Sequence, residues 1–181
     1  SKVVTVSEAL KVGRSSNEQM FDFIAGDLKA IIEGGLLPKT YGNADLGRAP
    51  EGAAKALLAK VYLTFGHPQQ AADLLATMLD SYKLLPNVAD VFSVDNKMNA
   101  EIIWAIRFNK TVPGEGHGAW YSITNLTDDS GQTSILKNLY DDNDQRKPLI
   151  EYVQVPGIKV CLMRKFYDTQ DASTKQYGND C

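Results

Sequence analysis

Residues 47–86 have the sequence GRAPEGAAKALLAKVYLTFGHPQQAADLLATMLDSYKLLP, and this stretch decides the fold. Its apolar side chains recur at the three- and four-residue spacing that places them on one face of a helix. The first run consists of Ala53, Ala54, Leu57, Leu58, Val61, Tyr62 and Phe65, and the second of Ala71, Ala72, Leu75, Met78, Leu79 and Tyr82. Gly66 is expected to end the first helix, and Pro68 fits the first turn of the second, where its missing N–H costs little. The stretch therefore predicts two antiparallel helices, a hairpin of the tetratricopeptide type with about 34 residues.

Another helix is predicted upstream of this hairpin. Ser16 with Gln19 three residues later, or Ser15 with Glu18, forms a capping box that begins it. Two glycines at positions 34 and 35 end it. Its apolar stripe consists of Met20, Ile24, Leu28, Ile31 and Ile32.

The pattern changes to that of an irregular lobe after the hairpin. Apolar and other residues alternate along Glu101–Phe108 (EIIWAIRF), as they do in a strand. Because a lone strand is unstable, we predict that it pairs with Val153–Met163, in which Pro156 and Gly157 form a turn or bulge. The fold class is therefore mainly α, with tetratricopeptide-like hairpins of the α-solenoid type and an irregular lobe containing a small β element. The predicted parts of the single chain 1–181 are the helices at 15–86, the lobe at 87–168 and a flexible tail at 169–181.

Composition and motifs exclude several classes of function. The 181 residues carry a net charge of −3, which argues against a nucleic-acid surface. Catalysis has little support, because the only histidines are His67 and His117, and neither belongs to a recognisable catalytic motif. The acidic residues 141–144 lack the glycine and glutamate of a calcium loop. Cys161 and Cys181 form neither a disulfide framework nor a metal knuckle. We therefore predict no enzyme activity, no metal and no cofactor.

Five short segments, in this order, resemble the SusD/RagB family of outer-membrane nutrient-binding lipoproteins. They are IAGDL at 24–28 with Leu37-Pro38, GRAP at 47–50 running into AAKALLAKVYL at 53–63, SYKLLP at 81–86, NAEIIW at 99–104, and Tyr140 with Asp144-Gln145-Arg146 followed by Lys165-Phe166. Each segment alone is weak, but the ordered set is specific. The chain resembles the middle portion of such a protein, with the lipid anchor and outer helices absent. We therefore expect marginal stability, oligomerisation or an unusual packing over the bare helix faces.

The resemblance implies a role in nutrient uptake and polysaccharide utilisation. Members of this family are lipid-anchored on the external face of the outer membrane in Bacteroidetes-type bacteria. There they hold an oligosaccharide above a SusC-like TonB-dependent transporter. Carbohydrate binding and the transporter are therefore the expected ligand and partner. The alternative is a protein-interaction scaffold that docks the transporter without binding a ligand, because tetratricopeptide hairpins usually bind peptides or proteins.

The loop that follows Glu101–Phe108 is the predicted glycan site. Trp120 and Tyr121 offer large flat rings with polar tips, on which the apolar C–H face of a sugar could stack. The remaining candidates supply polar groups for the sugar hydroxyls, and they are His117, Asn125 and Asp128. The competing interpretation is that Trp120 and Tyr121 pack the core of the lobe. Trp104 is expected in that core as well.

Overall fold

The computed structural model describes residues 4–109, 112–115, 126–127, 139–155 and 158–163. The chain divides into two compact units, one made of Ser1–Ala44 with Ala49–Leu79 and the other of Asp45–Arg48 with Asp80–Cys181. The predicted division at residue 86 stays a prediction, and the predicted tail lies outside the described residues. No helix in the described ranges is long and apolar enough to cross a membrane.

The first unit begins with two capped helices. Helix α1 is the short Val6–Ala9, and α2 is Asn17–Glu33. The predicted capping box is confirmed in its first form, because the Ser16 hydroxyl accepts from the Gln19 N–H and Gln19 Oε1 accepts from the Ser16 N–H. At the other end Leu36 N–H donates to the carbonyl of Ile31, which ends α2 at the predicted glycines.

The predicted hairpin is present as α3, Glu51–Thr64, and α4, Pro68–Ala76. Gly66 has a φ of 79° at the break, and His67 N–H donates to the Tyr62 carbonyl across it. Pro68 lies in the first turn of α4 as expected. Helix α4 ends earlier than the apolar pattern suggests, and a 3-10 turn at Leu79–Ser81 follows.

The core of the first unit lies where α2, α3 and α4 meet. Its buried members are Ala25, Leu28, Ala54, Leu58, Ala59, Tyr62 and Ala71. Small side chains on α3 and α4 allow close approach of the two helices. Some predicted core positions are wrong, because Met20 and Leu57 are exposed while Phe21 and Leu74 pack against the core instead. Apolar spacing identified the helices correctly, but it placed the buried stripe only approximately.

The second unit contains a helix and a small sheet. Helix α5 is the short Val88–Val91. Strands β1, Leu126–Thr127, β2, Ile150–Val155, and β3, Ile158–Met163, form an antiparallel sheet in the order β1-β3-β2. Pairing runs from Ile150 with Met163 to Val155 with Ile158.

The predicted strand at Glu101–Phe108 is wrong. Residues 104–108 belong to no strand, and Val153–Met163 pairs within its own hairpin rather than with them. The physical reason is loop closure, because strands separated by two residues lose far less chain entropy on pairing than strands separated by about 45 residues. The sequence of Glu101–Phe108 does alternate, but the segment expected to pair with it contributes both strands of the hairpin β2–β3.

Candidate functional site

The five predicted site residues all fall outside the part of the chain that the structure describes. Trp120, Tyr121, His117, Asn125 and Asp128 therefore remain predictions, and so does the competing core interpretation of the two aromatic residues. The structure does describe residues 112–115, which precede all five, and residues 126–127, which lie between Asn125 and Asp128.

Both sides of the candidate loop are held by backbone hydrogen bonds. Before it, Asn109 N–H donates to the Glu115 carbonyl over 2.8 Å, and Glu115 N–H donates to the Val112 carbonyl over 3.1 Å. Gly114 has a φ of 80°, which this turn requires and which favours glycine. After the loop, β1 pairs with β3, with Leu126 opposite Cys161. The chain between residues 115 and 126 thus starts and ends at fixed points of the second unit.

Trp104 is not a core residue, which corrects the sequence-based prediction. Its side chain is 46% exposed, and its indole Nε1–H donates to the Gly47 carbonyl over 2.8 Å. Arg107 is also exposed and packs its stem against the same glycine. A Cβ at position 47 would lie 3.2 Å from Arg107 Cδ, and φ there is 105°, so glycine is the residue that fits. We call Trp104, Arg107 and Gly47 the Trp104 platform.

The segment before the Trp104 platform is anchored by two polar side chains. The Asn99 amide donates to the carbonyls of Val91 and Asn96 over 3.2 and 3.0 Å and accepts from the Glu101 N–H over 3.1 Å. Glu101 Oε2 accepts from the Leu85 N–H over 3.0 Å. The asparagine and glutamate of the NAEIIW segment therefore tie it to α5 and to the chain that follows the helical hairpin.

A shallow pocket opens beside this anchored segment. Its lining is mostly apolar and includes Val91, Val94, Met98, Ile102 and Ile106. Met98 has a φ of 54°, a left-handed conformation that costs energy for a side chain of this kind. Sequence patterns gave no signal for this strained turn or for the pairing of Arg107 with Gly47.

Two carboxylates of the segment 141–144, Asp142 and Asp144, pair with neighbouring cations. Arg146 binds Asp144 through Nε and Nη2, with Nη2 2.6 Å from Oδ2, and its guanidinium lies 4.7 Å from the centre of the Tyr140 ring. Lys147 Nζ lies 2.6 Å from Asp142 Oδ1. The described residues contain no cluster of three acidic, histidine or cysteine side chains arranged for a metal ion. This corner is an ion-paired turn rather than a calcium loop.

Asp144 gives the turn a pH dependence. The Arg146 side chain, followed by the Arg146 backbone N–H, lowers the pKa of Asp144 from 3.8 to about 2. A carboxyl whose pKa is depressed in the folded state stabilises the fold above its unfolded pKa and loses that effect as pH falls through the folded one. We therefore expect Asp144→Asn to lower Tm near neutral pH, and the deficit to vanish between about pH 4 and pH 2.

The measurement is thermal melting by circular dichroism across that pH range. Asp141→Asn is the matched control, because the carboxyl at 141 takes part in no ion pair among the described residues. Its Tm should follow that of the wild-type chain at every pH. A deficit for Asp144→Asn that keeps its size at pH 2 would show that the ion pair is not its source.

His67 has aromatic rather than catalytic surroundings. Its ring lies 5.0 Å from the Phe21 ring and 6.4 Å from the Tyr62 ring, centre to centre. His67 is exposed, and its side chain does not cap α4. His117, the other histidine, lies outside the described residues.

Comparison with known proteins finds SusD-like relatives. No family model matches the chain. SusD-like protein P25 from Formosa agariphila is 29% identical to it over 115 residues, which are 62% of this chain and 21% of that protein. A SusD superfamily protein of known structure from Bacteroides vulgatus superposes with a TM-score of 0.69 at 26% identity, over 93% of this chain and 38% of the other. The chain is therefore similar to SusD superfamily proteins over most of its length, as its sequence motifs predict.

The similarity to the Bacteroides vulgatus structure confirms the tetratricopeptide-like, mainly helical fold class. Surface glycan-binding protein A from Bacteroides thetaiotaomicron, solved with laminarihexaose, has the same fold, with a TM-score of 0.68 at 14% identity over 90% of this chain and 46% of that protein. The chain thus spans about a fifth of the curated SusD-like relative and less than half of either solved relative.

Proposed function

We propose that this chain is part of a protein that binds oligosaccharide at the outer surface of the cell and delivers it to a SusC-like TonB-dependent transporter. The observation that carries the proposal is the similarity to a SusD superfamily structure over 93% of the chain at 26% identity. A glycan-bound relative with the same fold supports the choice of ligand. The proposal includes a lipid anchor in the outer membrane and no enzymatic step.

Recognition is proposed for Trp120 and Tyr121, with His117, Asn125 and Asp128 bonding the sugar hydroxyls. The support is the hydrogen-bonded backbone that the structure describes on either side of residues 116–125. A hydrogen-bonded turn at residues 112–115 precedes them, and β1 follows them.

A fluorescence titration of single-tryptophan variants tests this site. The chain has two tryptophans, so Trp104→Phe leaves Trp120 as the one reporter and Trp120→Phe leaves Trp104. We expect laminarihexaose, or a glycan from a panel that retards the chain in native gels, to change Trp120 emission. Trp120→Ala should weaken binding at least tenfold, since burying a large apolar side chain is worth about 1.5–3 kcal/mol.

The matched comparison is Tyr140→Ala, which removes an aromatic ring of the second unit that lies over Arg146 rather than in the proposed site. It should bind glycan as the wild-type chain does. Unchanged affinity in Trp120→Ala would overturn the assignment of Trp120.

The second candidate function is a scaffold that docks the transporter without holding a ligand. Exposed apolar side chains on the helices favour it, because Phe23, Leu57 and Leu63 are each more than half exposed. A pull-down with the transporter, combined with the glycan panel, separates the two functions. Capture of the transporter with no glycan binding would support the scaffold and contradict the first proposal.

A further inference from the structure

We propose that the Trp104 platform is an additional sugar contact and that it accepts a uronate, a sugar unit bearing a carboxylate. This inference rests on the proposed function, since it names the class of oligosaccharide that the chain would bind. Its residues are distinct from the five candidates of the loop, and all of them lie in the second unit.

The indole of Trp104 is prepared for stacking. Its one polar atom is already satisfied, because Nε1–H donates to the Gly47 carbonyl over 2.8 Å. What the side chain offers to a ligand is therefore its ring, and Trp104 as a whole residue is 46% exposed. The hydrogen bond also holds the ring in one orientation, so that less rotamer entropy is lost when a sugar stacks on it.

Arg107 supplies a positive charge that no carboxylate of the described residues balances, and it contacts the same glycine as Trp104. Arg48, the neighbour of Gly47, is paired with Asp45 at 3.1 Å, so that its charge is largely balanced. No carboxylate of the described residues pairs with Arg107, which is exposed. A guanidinium with free donors binds a planar carboxylate through two parallel hydrogen bonds.

Both groups lie close enough to bind the same or adjacent sugar units. Trp104 Nε1 contacts the carbonyl oxygen of Gly47, and the Arg107 stem contacts the Cα side of the same residue. Standard backbone dimensions then limit the separation of Trp104 Nε1 and Arg107 Cδ to about 10 Å. A uronate has an apolar C–H face to stack on the indole and a carboxylate at the ring edge to pair with the guanidinium.

The test compares charged oligosaccharides with their own neutral forms. Oligomers of galacturonate, mannuronate and glucuronate are titrated into the 181-residue chain, each alongside its carboxyl-reduced counterpart. For at least one of these pairs we expect the charged form to bind about tenfold more tightly at low salt, and the difference to shrink as salt screens the Arg107 charge. Arg107→Gln should bring the two forms to nearly equal affinity, and Trp104→Ala should weaken both forms.

Arg14→Gln is the control, because it removes the same charge from an exposed position in the first unit and should keep the tenfold preference. Circular dichroism verifies that each variant is folded. Binding of neutral glycans with no preference for any charged form, or a preference that survives Arg107→Gln, overturns this inference alone. Absence of binding to every charged and neutral glycan overturns the proposed function as well.

Discussion

Leu58→Ala is expected to lower the free energy of unfolding of the helical unit by about 2–5 kcal/mol. Leu58 is 2% exposed on α3 and belongs to the core that α2, α3 and α4 share. Truncation removes the transfer energy of the lost atoms and leaves a cavity among neighbours such as Tyr62 and Ala71, which cannot close completely. Urea unfolding followed by far-UV circular dichroism measures the loss.

Leu63→Ala is the matched control for this prediction. It makes the same chemical change on the same helix, but the Leu63 side chain is 57% exposed. Its effect should stay within about 0.5 kcal/mol, as for most exposed positions. Equal losses in the two variants would mean that the buried face of α3 is not the one described here.

Asn99→Ala is expected to destabilise the second unit by about 2–4 kcal/mol. The Asn99 amide makes three hydrogen bonds, two as donor to the Val91 and Asn96 carbonyls and one as acceptor from the Glu101 N–H. Two of them are partly buried, so removal leaves backbone groups poorly satisfied at about 1–3 kcal/mol each. The same substitution should loosen the Trp104 platform, since Trp104 lies three positions after Glu101.

Intrinsic fluorescence of Trp104 during urea unfolding, in a Trp120→Phe background, reports on this unit. Asn96→Ala is the control, because the Asn96 side chain makes one long hydrogen bond, 3.3 Å to the Asp90 carbonyl, in an exposed setting. Asn99→Asp keeps the acceptor but loses both donated bonds, so it should fall between the wild-type chain and Asn99→Ala. An Asn99→Ala midpoint equal to that of Asn96→Ala would contradict the anchoring role.

The helices could be predicted from sequence because their signals are local. The Ser16 capping box, the Gly66 break and Pro68 each act within one helical turn, and all three have the expected role in the structure. Apolar spacing also located the hairpin. Spacing alone does not determine which side chains are buried. Whether Met20 or Phe21 packs inward depends on where the neighbouring helices lie.

The lobe could not be predicted in the same way because its contacts are non-local. The alternation in Glu101–Phe108 indicates a strand, but a strand also needs a partner, and Ile150–Val155 pairs with Ile158–Met163 instead. Trp104 was assigned to a core on the same reasoning. Its actual contact is with Gly47, 57 residues earlier in the chain, which no periodic pattern reveals.

The candidate glycan site was predicted from residue chemistry and from resemblance to a family. Aromatic residues in a glycine-bearing loop suit a sugar, but their chemistry suits a core equally well. The similarity to a SusD superfamily structure supports the choice of an oligosaccharide as the ligand. The hydrogen-bonded turn at Val112–Glu115 gives the loop a defined start. Recognition by Trp120 remains a prediction that depends on measurement.

Native gel electrophoresis against a panel of immobilised polysaccharides tests the central claim most directly. The wild-type chain, Trp120→Ala and Tyr140→Ala would be run side by side in gels with and without each polysaccharide. We predict that at least one neutral or acidic polysaccharide retards the wild-type chain and Tyr140→Ala, while Trp120→Ala migrates as in the empty gel. Migration of the wild-type chain as in the empty gel with every polysaccharide would contradict glycan binding by this chain. Equal retardation of all three chains would contradict recognition by Trp120.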